Sequence, residues 1–414
     1  MITTSQKWKD WASEYGTFHI KATLFDENSN TMELSQEDFM MGSVTFTDAM
    51  SGMSEIKFGA CDTNSFHATL NNFNGKFDDW VWKYIDVYFG IENPEFSAVV
   101  GDAIVGIAVV GVDTSSSNEW IFRGSYIIDR PKTTGNTINI ECYDYMDLFN
   151  KAFSGLNETL TYPVQSNDLI TSICTYCGIS NVINSLSPFS IDTFEFDETT
   201  SCRQVLLWIL ETLGSYARFV PQNNTTPIVL GKWNIGGWGI SDDLDGGVFD
   251  TWNDPASADG GTFNPWNTTT DYNGGAFYEG QQPYEIERLT SRTIAMDSVA
   301  ITGIRAYSND ESVNDLAGTD GYIITIRNNP LVTTDNVSVV SNRAWGDVEG
   351  LDVRPFEAYI YGDPSMEAGD VVVVSDDRGN YYKSLITAME YKLNGTTRVG
   401  CYALTPQENF NQSQ

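Results

Sequence analysis

The stretch Glu119-Trp120-Ile121-Phe122-Arg123-Gly124-Ser125-Tyr126-Ile127-Ile128 is followed by Asp129-Arg130-Pro131-Lys132-Thr133-Thr134-Gly135-Asn136. Then comes Thr137-Ile138-Asn139-Ile140-Glu141-Cys142-Tyr143. The outer segments are rich in aromatic and β-branched residues, and Pro, Gly and Asn gather between them. That pattern predicts two antiparallel strands around a turn-rich connection. The same alternation runs upstream, through Phe18–Phe25, Ser43–Thr47, Ile56–Phe58, Ser65–Leu70 and Tyr84–Phe89. Many short strands with one covering helix predict a first β-barrel or sandwich over residues 1–150.

Downstream the period changes from two to three and four. Asp144–Phe153 reads as helical and Asn157–Pro163 as an extended link. Leu169, Ile170, Ile173, Cys174 and Cys177 form one apolar stripe, with an N-cap offered by Ser166-Asn167-Asp168 and a stop at Gly178. A second helix opens near Thr199–Ser201, buries Val205, Leu206, Trp208, Ile209 and Leu213, and ends at Gly214. Tyr216–Pro221 and Thr226–Leu230 then pair as a hairpin. Residues 151–235 therefore read as a small α+β module.

Between residues 236 and 287 the chain repeats itself. Gly246-Gly247-Val248-Phe249-Asp250-Thr251-Trp252-Asn253 recurs fourteen residues later as Gly260-Gly261-Thr262-Phe263-Asn264-Pro265-Trp266-Asn267, and begins again at Gly274-Gly275-Ala276-Phe277. Two and a half copies are too few for a solenoid. This segment reads as an inserted, protruding element whose Phe249, Trp252, Phe263, Trp266 and Phe277 contact a partner. Sugar stacking by the tryptophans stays open as an alternative.

Residues 288–414 return to sheet, with strands expected at Ser298–Ala306, Tyr322–Arg327, Phe356–Tyr361, Asp370–Val374, Tyr381–Tyr391 and Arg398–Ala403. A short helix is expected over Arg343–Val353. An echo links the two sheet regions: a shift of 260 lays Lys132, Gly135 and Thr137 on Lys392, Gly395 and Thr397. It suggests a duplicated barrel. The fold class is thus mainly β with an α+β module: two tube-forming β-barrel domains flanking a small α+β domain.

Composition narrows the function. Lys and Arg number 23 against 56 Asp and Glu, a formal charge of −33. Such a surface repels phosphate backbones and anionic lipid, which argues against wrapping nucleic acid or lying on a membrane. The same repulsion suits an acidic passage through which DNA slides; solubility or adaptation to salt is the other account. Met1–Glu14 is polar with a Trp8/Trp11 stripe and lacks an apolar signal core, and the apolar stretch Ala98–Val112 is broken by Gly101, Asp102, Gly106 and Gly111. No membrane anchoring is expected. Six cysteines in 414 residues are no disulfide framework, which implies synthesis in a reducing cytoplasm.

Motifs for catalysis are missing. His19 and His67 are the two histidines, each in an expected strand and far from any zinc-hydrolase spacing. Cys174-x-x-Cys177 has Cys202 as its one candidate companion, and it reads as core packing rather than a metal site. Asp242, Asp243 and Asp245 lack the terminal bidentate Glu of a calcium loop. No phosphate-binding Gly-Lys-Ser/Thr and no Gly-x-Ser-x-Gly elbow occurs. No catalytic residue, metal or cofactor is assigned. Paired carboxylates leave a glycan-degrading protein, and the tryptophan repeats a carbohydrate-binding one, as the alternatives.

Several segments together resemble the baseplate hub family of phage tails and contractile injection systems, including the leading domain of siphophage tail-associated proteins. They are Phe58-Gly59-Ala60-Cys61-Asp62-Thr63-Asn64-Ser65-Phe66; Phe122–Ile128 followed by Ile140-Glu141-Cys142-Tyr143-Asp144; and Tyr162-Pro163 leading into Leu169–Cys174. Arg354-Pro355-Phe356, Gly362-Asp363-Pro364 and Glu367-Ala368-Gly369-Asp370-Val371 complete the set. The resemblance implies a virion structural protein that forms a homotrimer, a pseudo-hexameric ring acting as a symmetry adaptor. One side would meet the tail tube or a distal tail protein, the other a spike, tip or fibre protein. DNA would pass through without specific binding.

Overall fold

The computed structural model describes residues 2, 4–13, 16–53, 55–91, 119–222, 224–233, 284–285, 289–404 and 409. Alternating burial makes the first strands: β1 (His19–Asp26), β2 (Thr31–Leu34), β3 (Thr45–Ala49), β4 (Ser65–Asn71), β5 (Trp82–Ile91), β6 (Glu119–Ile128), β7 (Lys132–Thr134) and β8 (Thr137–Tyr143). In β1 the inward positions are Ile20, Ala22 and Leu24, all fully buried, with His19, Lys21 and Thr23 between them on the other face. The opening hairpin of the analysis is present as β6 and β8, with β7 folded back on β8. Ile56–Phe58 is not a strand: Ile56 and Phe58 are buried, but the backbone turns there into Gly59 at φ +73°.

The α+β module carries α2 (Ser154–Asn157), α3 (Ser166–Tyr176) and α4 (Cys202–Glu211), following α1 (Gln6–Ser13) at the amino end. Its strands are β9 (Val164–Gln165), β10 (Val182–Asn184), β11 (Ser190–Ile191), β12 (Ser215–Phe219) and β13 (Ile228–Lys232). β12 and β13 form the expected antiparallel pair, and β10 adds to β13 in parallel. The Ser201 hydroxyl accepts the Gln204 N–H at 3.1 Å, capping α4 where the sequence placed its start. α3 begins earlier than the Ser166-Asn167-Asp168 cap, with Gln165 at the cap position. The expected helix over Asp144–Phe153 is a shorter 3-10 turn, Tyr145–Asn150, whose Met146 N–H donates to the Asp144 carboxylate at 3.0 Å.

The last region holds β14 (Tyr284–Glu285), β15 (Leu289–Ile294), β16 (Val299–Ala300), β17 (Gly303–Tyr307), β18 (Asn314–Gly318) and β19 (Ile323–Ile326). After α5 (Val337–Val348) come β20 (Asp352–Val353), β21 (Phe356–Tyr361), β22 (Val371–Ser375), β23 (Tyr381–Leu385), β24 (Ala388–Lys392) and β25 (Thr396–Cys401). The expected strand Tyr381–Tyr391 is two, because the chain leaves the β22 ladder at Ile386 and joins β25 and β3 instead. α5 starts six residues before the expected Arg343. The apolar positions Val337, Val340, Ala344 and Val348 give it a buried stripe that reaches back past that arginine.

The two sheet regions are not separate. β24 pairs antiparallel with β3, Tyr391 opposite Phe46 and Met389 opposite Asp48, which fuses the ends of the chain into one 12-stranded sheet. Its path runs β15-β21-β25-β24-β3-β4-β8-β6-β5-β1-β2. Among the described residues this path is open, and no closed barrel is seen in it. β17, β18, β19 and α5 stand outside it as a second small α/β layer. Two hydrophobic cores result: one under the large sheet and α5, the other inside the α+β module.

Candidate functional site

The site is built where these parts meet. Arg123 comes from β6, Asp48 from β3, Arg218 from β12, and Glu367 with Ala368 from the turn before β22. Arg123 Nη2 donates to Asp48 Oδ2 at 3.0 Å, and its Nη1 lies 3.6 Å from Glu367 Oε1. Arg218 Nη2 donates to Glu367 Oε1 at 3.3 Å and lies 3.8 Å from Asp48 Oδ2. Arg218 Nη1 donates to the Ala368 carbonyl, and the Ala368 N–H donates to Asp48 Oδ2 at 3.1 Å. All four charged side chains are buried. One ring of charges therefore ties the first sheet region, the α+β module and the last sheet region together.

Local sequence explains each position. The bulge at Gly124, φ +141°, shifts the β5–β6 register between Val87 and Tyr88 beside Arg123. The Arg123 guanidinium rests 4.4 Å over the Phe46 ring, which stacks on Tyr391 at 4.7 Å. Gly369, φ +97°, lets the turn pass against Met50 and Arg218, where a Cβ would meet the Met50 sulfur at 3.1 Å. Gly59, φ +73°, sits against α4 so closely that a Cβ would lie 2.7 Å from the Leu207 carbonyl. From the same segment Ala60 accepts the Ala217 N–H at 2.9 Å, and Cys61 O accepts from Arg203 Nε at 2.6 Å.

Electrostatics is consistent with this arrangement. Burial alone would raise the Asp48 carboxyl, but Arg218 and Arg123 outweigh it and hold it below the ordinary range. Burial would lower Arg218, yet Asp48 and Glu367 keep its pKa above the usual value. Asp144 is different: burial pushes its carboxyl up to about 7, against hydrogen bonds from the Asn64 and Met146 N–H groups. It faces a cavity of about 20 Å³ shared with Asp48, Asn64, Arg123, Tyr126 and Thr226, room for a single water. Asp144 Oδ2 and the Nε atoms of Arg123 and Arg218 have no hydrogen-bond partner.

With their charges spent on each other, these groups act as a fastening rather than as acid, base or nucleophile. Among the described residues no group of three or more His, Cys, Asp or Glu is arranged to hold a metal ion. Nor is any helix there long and apolar enough to cross a membrane. His19 and His67 lie half-buried in β1 and β4, the latter with Nε2 3.1 Å from Ser65 Oγ. Cys174 and Cys177 are buried in the core of the α+β module, as the stripe predicted, and burial pushes the Cys174 thiol up to about 12. Phe249, Trp252, Phe263, Trp266 and Phe277, Asp242, Asp243 and Asp245, and the stretch Ala98–Val112, lie outside the described residues.

Sequence reasoning did not single out the ring itself, although it quoted its pieces. Arg123, Asp144 and Glu367-Ala368-Gly369-Asp370 all belong to segments that carried the family resemblance, and the fold brings them to one place. An arginine within an apolar strand was the available signal, at Ile121-Phe122-Arg123 and again at Ala217-Arg218-Phe219.

No protein-family model matches the sequence, and no curated protein matches it. Among solved structures the chain is similar to the tail protein from Neisseria meningitidis MC58, with a TM-score of 0.50 at 10% identity over 93% of this chain and 97% of that one. It is also similar to the 43 kDa tail protein of prophage MuSo2 from Shewanella oneidensis, at TM-score 0.45 and 10% identity over 92% and 97%. A third is an E. coli component of the type VI secretion system with structural similarity to T4 bacteriophage tail proteins, at TM-score 0.42 and 8% identity over 88% and 74%. The chain has a phage tail-protein fold, the class its segments resembled.

Proposed function

We propose that the chain is a structural hub of a phage tail or phage-like injection machine, without catalytic activity of its own. Three copies form a ring that joins the tail tube, or a distal tail protein, to a spike, tip or fibre protein. The observation that carries this reading is the shared fold, which spans nearly the whole of this chain and of the Neisseria tail protein. The ring of Asp48, Arg123, Arg218 and Glu367 supports it: a symmetry adaptor must transmit load between its two sheet regions as one body, and a buried charge network fixes their relation.

The open 12-stranded sheet fits a role in which enclosure comes from assembly of copies rather than from one chain. A formal charge of −33 per chain keeps a DNA duplex from adhering to the wall it passes. The segment 236–287, through Phe249, Trp252, Phe263, Trp266 and Phe277, contacts a neighbouring tail component. The test is the mass of the purified protein and its place in the virion by electron microscopy. Three chain masses and density at the tail tip are expected. A monomer in the tail, or cleavage of bacterial wall or capsule glycan by the pure protein, overturns the proposal.

A further inference from the structure

We propose that Asn74 is a site of spontaneous covalent modification, where the side-chain amide is lost as ammonia and a carboxylate takes its place. This inference does not rest on the tail role. Two Asn-Gly pairs lie in described turns, Asn74-Gly75 between β4 and β5 and Asn394-Gly395 between β24 and β25. A third, Asn273-Gly274, lies outside the described residues.

The backbone treats the two described pairs alike. The Gly75 N–H donates to the Asn72 carbonyl at 3.1 Å, and the Gly395 N–H donates to the Lys392 carbonyl at 3.1 Å. Both turns demand glycine. A Cβ at 75 would lie 2.9 Å from Asp78 Oδ2, and one at 395 would lie 2.9 Å from Lys392 Cγ. Gly75 also sits at φ +72°, in the left-handed region. The fold thus imposes the one following residue that leaves the asparagine Cγ open to attack by the next backbone nitrogen.

The side chains separate the two sites. Asn394 Oδ1 accepts the Phe18 N–H at 2.8 Å, and its Nδ2 donates to Phe18 O at 2.8 Å. That amide is clamped on the backbone just ahead of β1. Asn74 is exposed, and its Oδ1 accepts one N–H, that of Lys76, at 3.1 Å. Among the described residues nothing accepts from its Nδ2. To present its Cγ to the next nitrogen, Asn74 gives up one exposed hydrogen bond, whereas Asn394 gives up two shorter ones.

The chemistry balances with water alone. The Gly75 nitrogen gives its proton to solvent hydroxide and attacks Asn74 Cγ. A C–N bond forms, the bond from Cγ to Nδ2 breaks, and Nδ2 takes a proton from water and leaves as ammonia. A cyclic imide remains. Water then adds to one of its two carbonyls and breaks that C–N bond, giving aspartate or its β-linked isomer. One water is consumed, one ammonia is released, and nothing is oxidised. Either product adds a negative charge two residues from Lys76, which pairs with Asp38 at 2.8 Å.

The experiment incubates the folded full-length protein at mildly alkaline pH and maps its peptides by mass over time. The peptide carrying Asn74 should gain the mass of NH exchanged for O and separate into two isomers. It should convert at least about tenfold faster than the peptide carrying Asn394, a factor within reach of the additional hydrogen bonding there. In denaturant the two rates should converge, because the turns and the Phe18 clamp are gone. Asn74→Ser should abolish the first product and leave the Asn394 rate unchanged. Equal rates in the folded protein, a faster Asn394, or an Asn74 that converts only after unfolding overturns the proposal without touching the tail role.

Discussion

Two buried places hold this molecule together by opposite means. The core of the α+β module is built on apolar side chains, with Leu169, Ile173, Leu206 and Ile209 fully buried and Phe153 packed against Phe194 and Phe196. The junction beside it is charged, with two arginines and two carboxylates drawn from segments far apart in the chain. Apolar packing is non-directional, so a core tolerates small shifts of one element on another. A charge network in the interior has few acceptable geometries, and breaking it leaves an uncompensated charge. The module is therefore held by quantity of contact, and the junction by the identity of its partners.

The largest expected effect comes from breaking the junction one-sidedly. Arg218→Ala leaves Asp48 and Glu367 in the interior with Arg123 as the one arginine between them and should cost about 3–5 kcal/mol. Denaturant unfolding should show the loss, with the single transition splitting as the parts separate. Replacing Arg123 and Asp48 together by Met and Leu should cost less than the sum of the two single changes, a coupling that a double-mutant cycle reads directly. Additive costs would show that the ring is not one unit.

Next in size is truncation in the module. Ile209→Ala removes buried methylenes and should cost about 2–4 kcal/mol, with no dependence on salt or pH. Equal sensitivity of both sites to pH would erase the distinction drawn between them.

The third expectation concerns protons. Asp144 in the folded chain titrates at about 7, above its ordinary value of 3.8. Glu211, half-buried and accepting from Asn329 Nδ2 at 2.9 Å, is likewise raised by desolvation from 4.5 to about 7. The folded state then binds more protons than the unfolded chain between these limits. Their contribution is fully present below about pH 4 and falls as pH rises towards 7. Asp48 acts oppositely, because its lowered pKa stabilises the fold above the unfolded value and the benefit disappears in acid. Asp144→Asn should flatten the neutral-side slope of a melting-temperature profile while leaving the acid limb in place. An unchanged slope would mean that Asp144 is ionised throughout.

The smallest effect should come from Ser201→Ala, which removes the cap on α4 and should cost about 1 kcal/mol, measured by thermal melting. Its cost should add to that of Ile209→Ala unless the helix end and the module core are coupled.

Local rules explain how much of this was legible. Phe356–Tyr361 alternates cleanly and is the strand expected, with Phe356, Ala358 and Ile360 buried and Tyr359 and Tyr361 exposed. α4 shows its start at Ser201 and its end before Gly214 in four-residue patterns that need no distant partner. β18 was missed because Asn314-Asp315-Leu316-Ala317-Gly318 has turn-like composition. It is a strand because β17 beside it supplies hydrogen bonds along its whole length.

By itself the sequence determined the elements that alternation, helical periodicity and capping encode, and it determined the acidic charge that any assembly must accommodate. It also placed Arg123, Arg218, Asp48 and Glu367 in the chain, but not beside one another. Arg123 and Asp48 are separated by 75 residues, Arg218 and Glu367 by 149, and Ala368 and Asp48 by 320. Such pairings depend on the β3–β24 register that joins the ends of the chain, and no local pattern specifies which strand edge meets which. Only the tertiary structure decided that the two sheet regions are one sheet, because burying a charge is tolerable only where the opposite charges arrive with it.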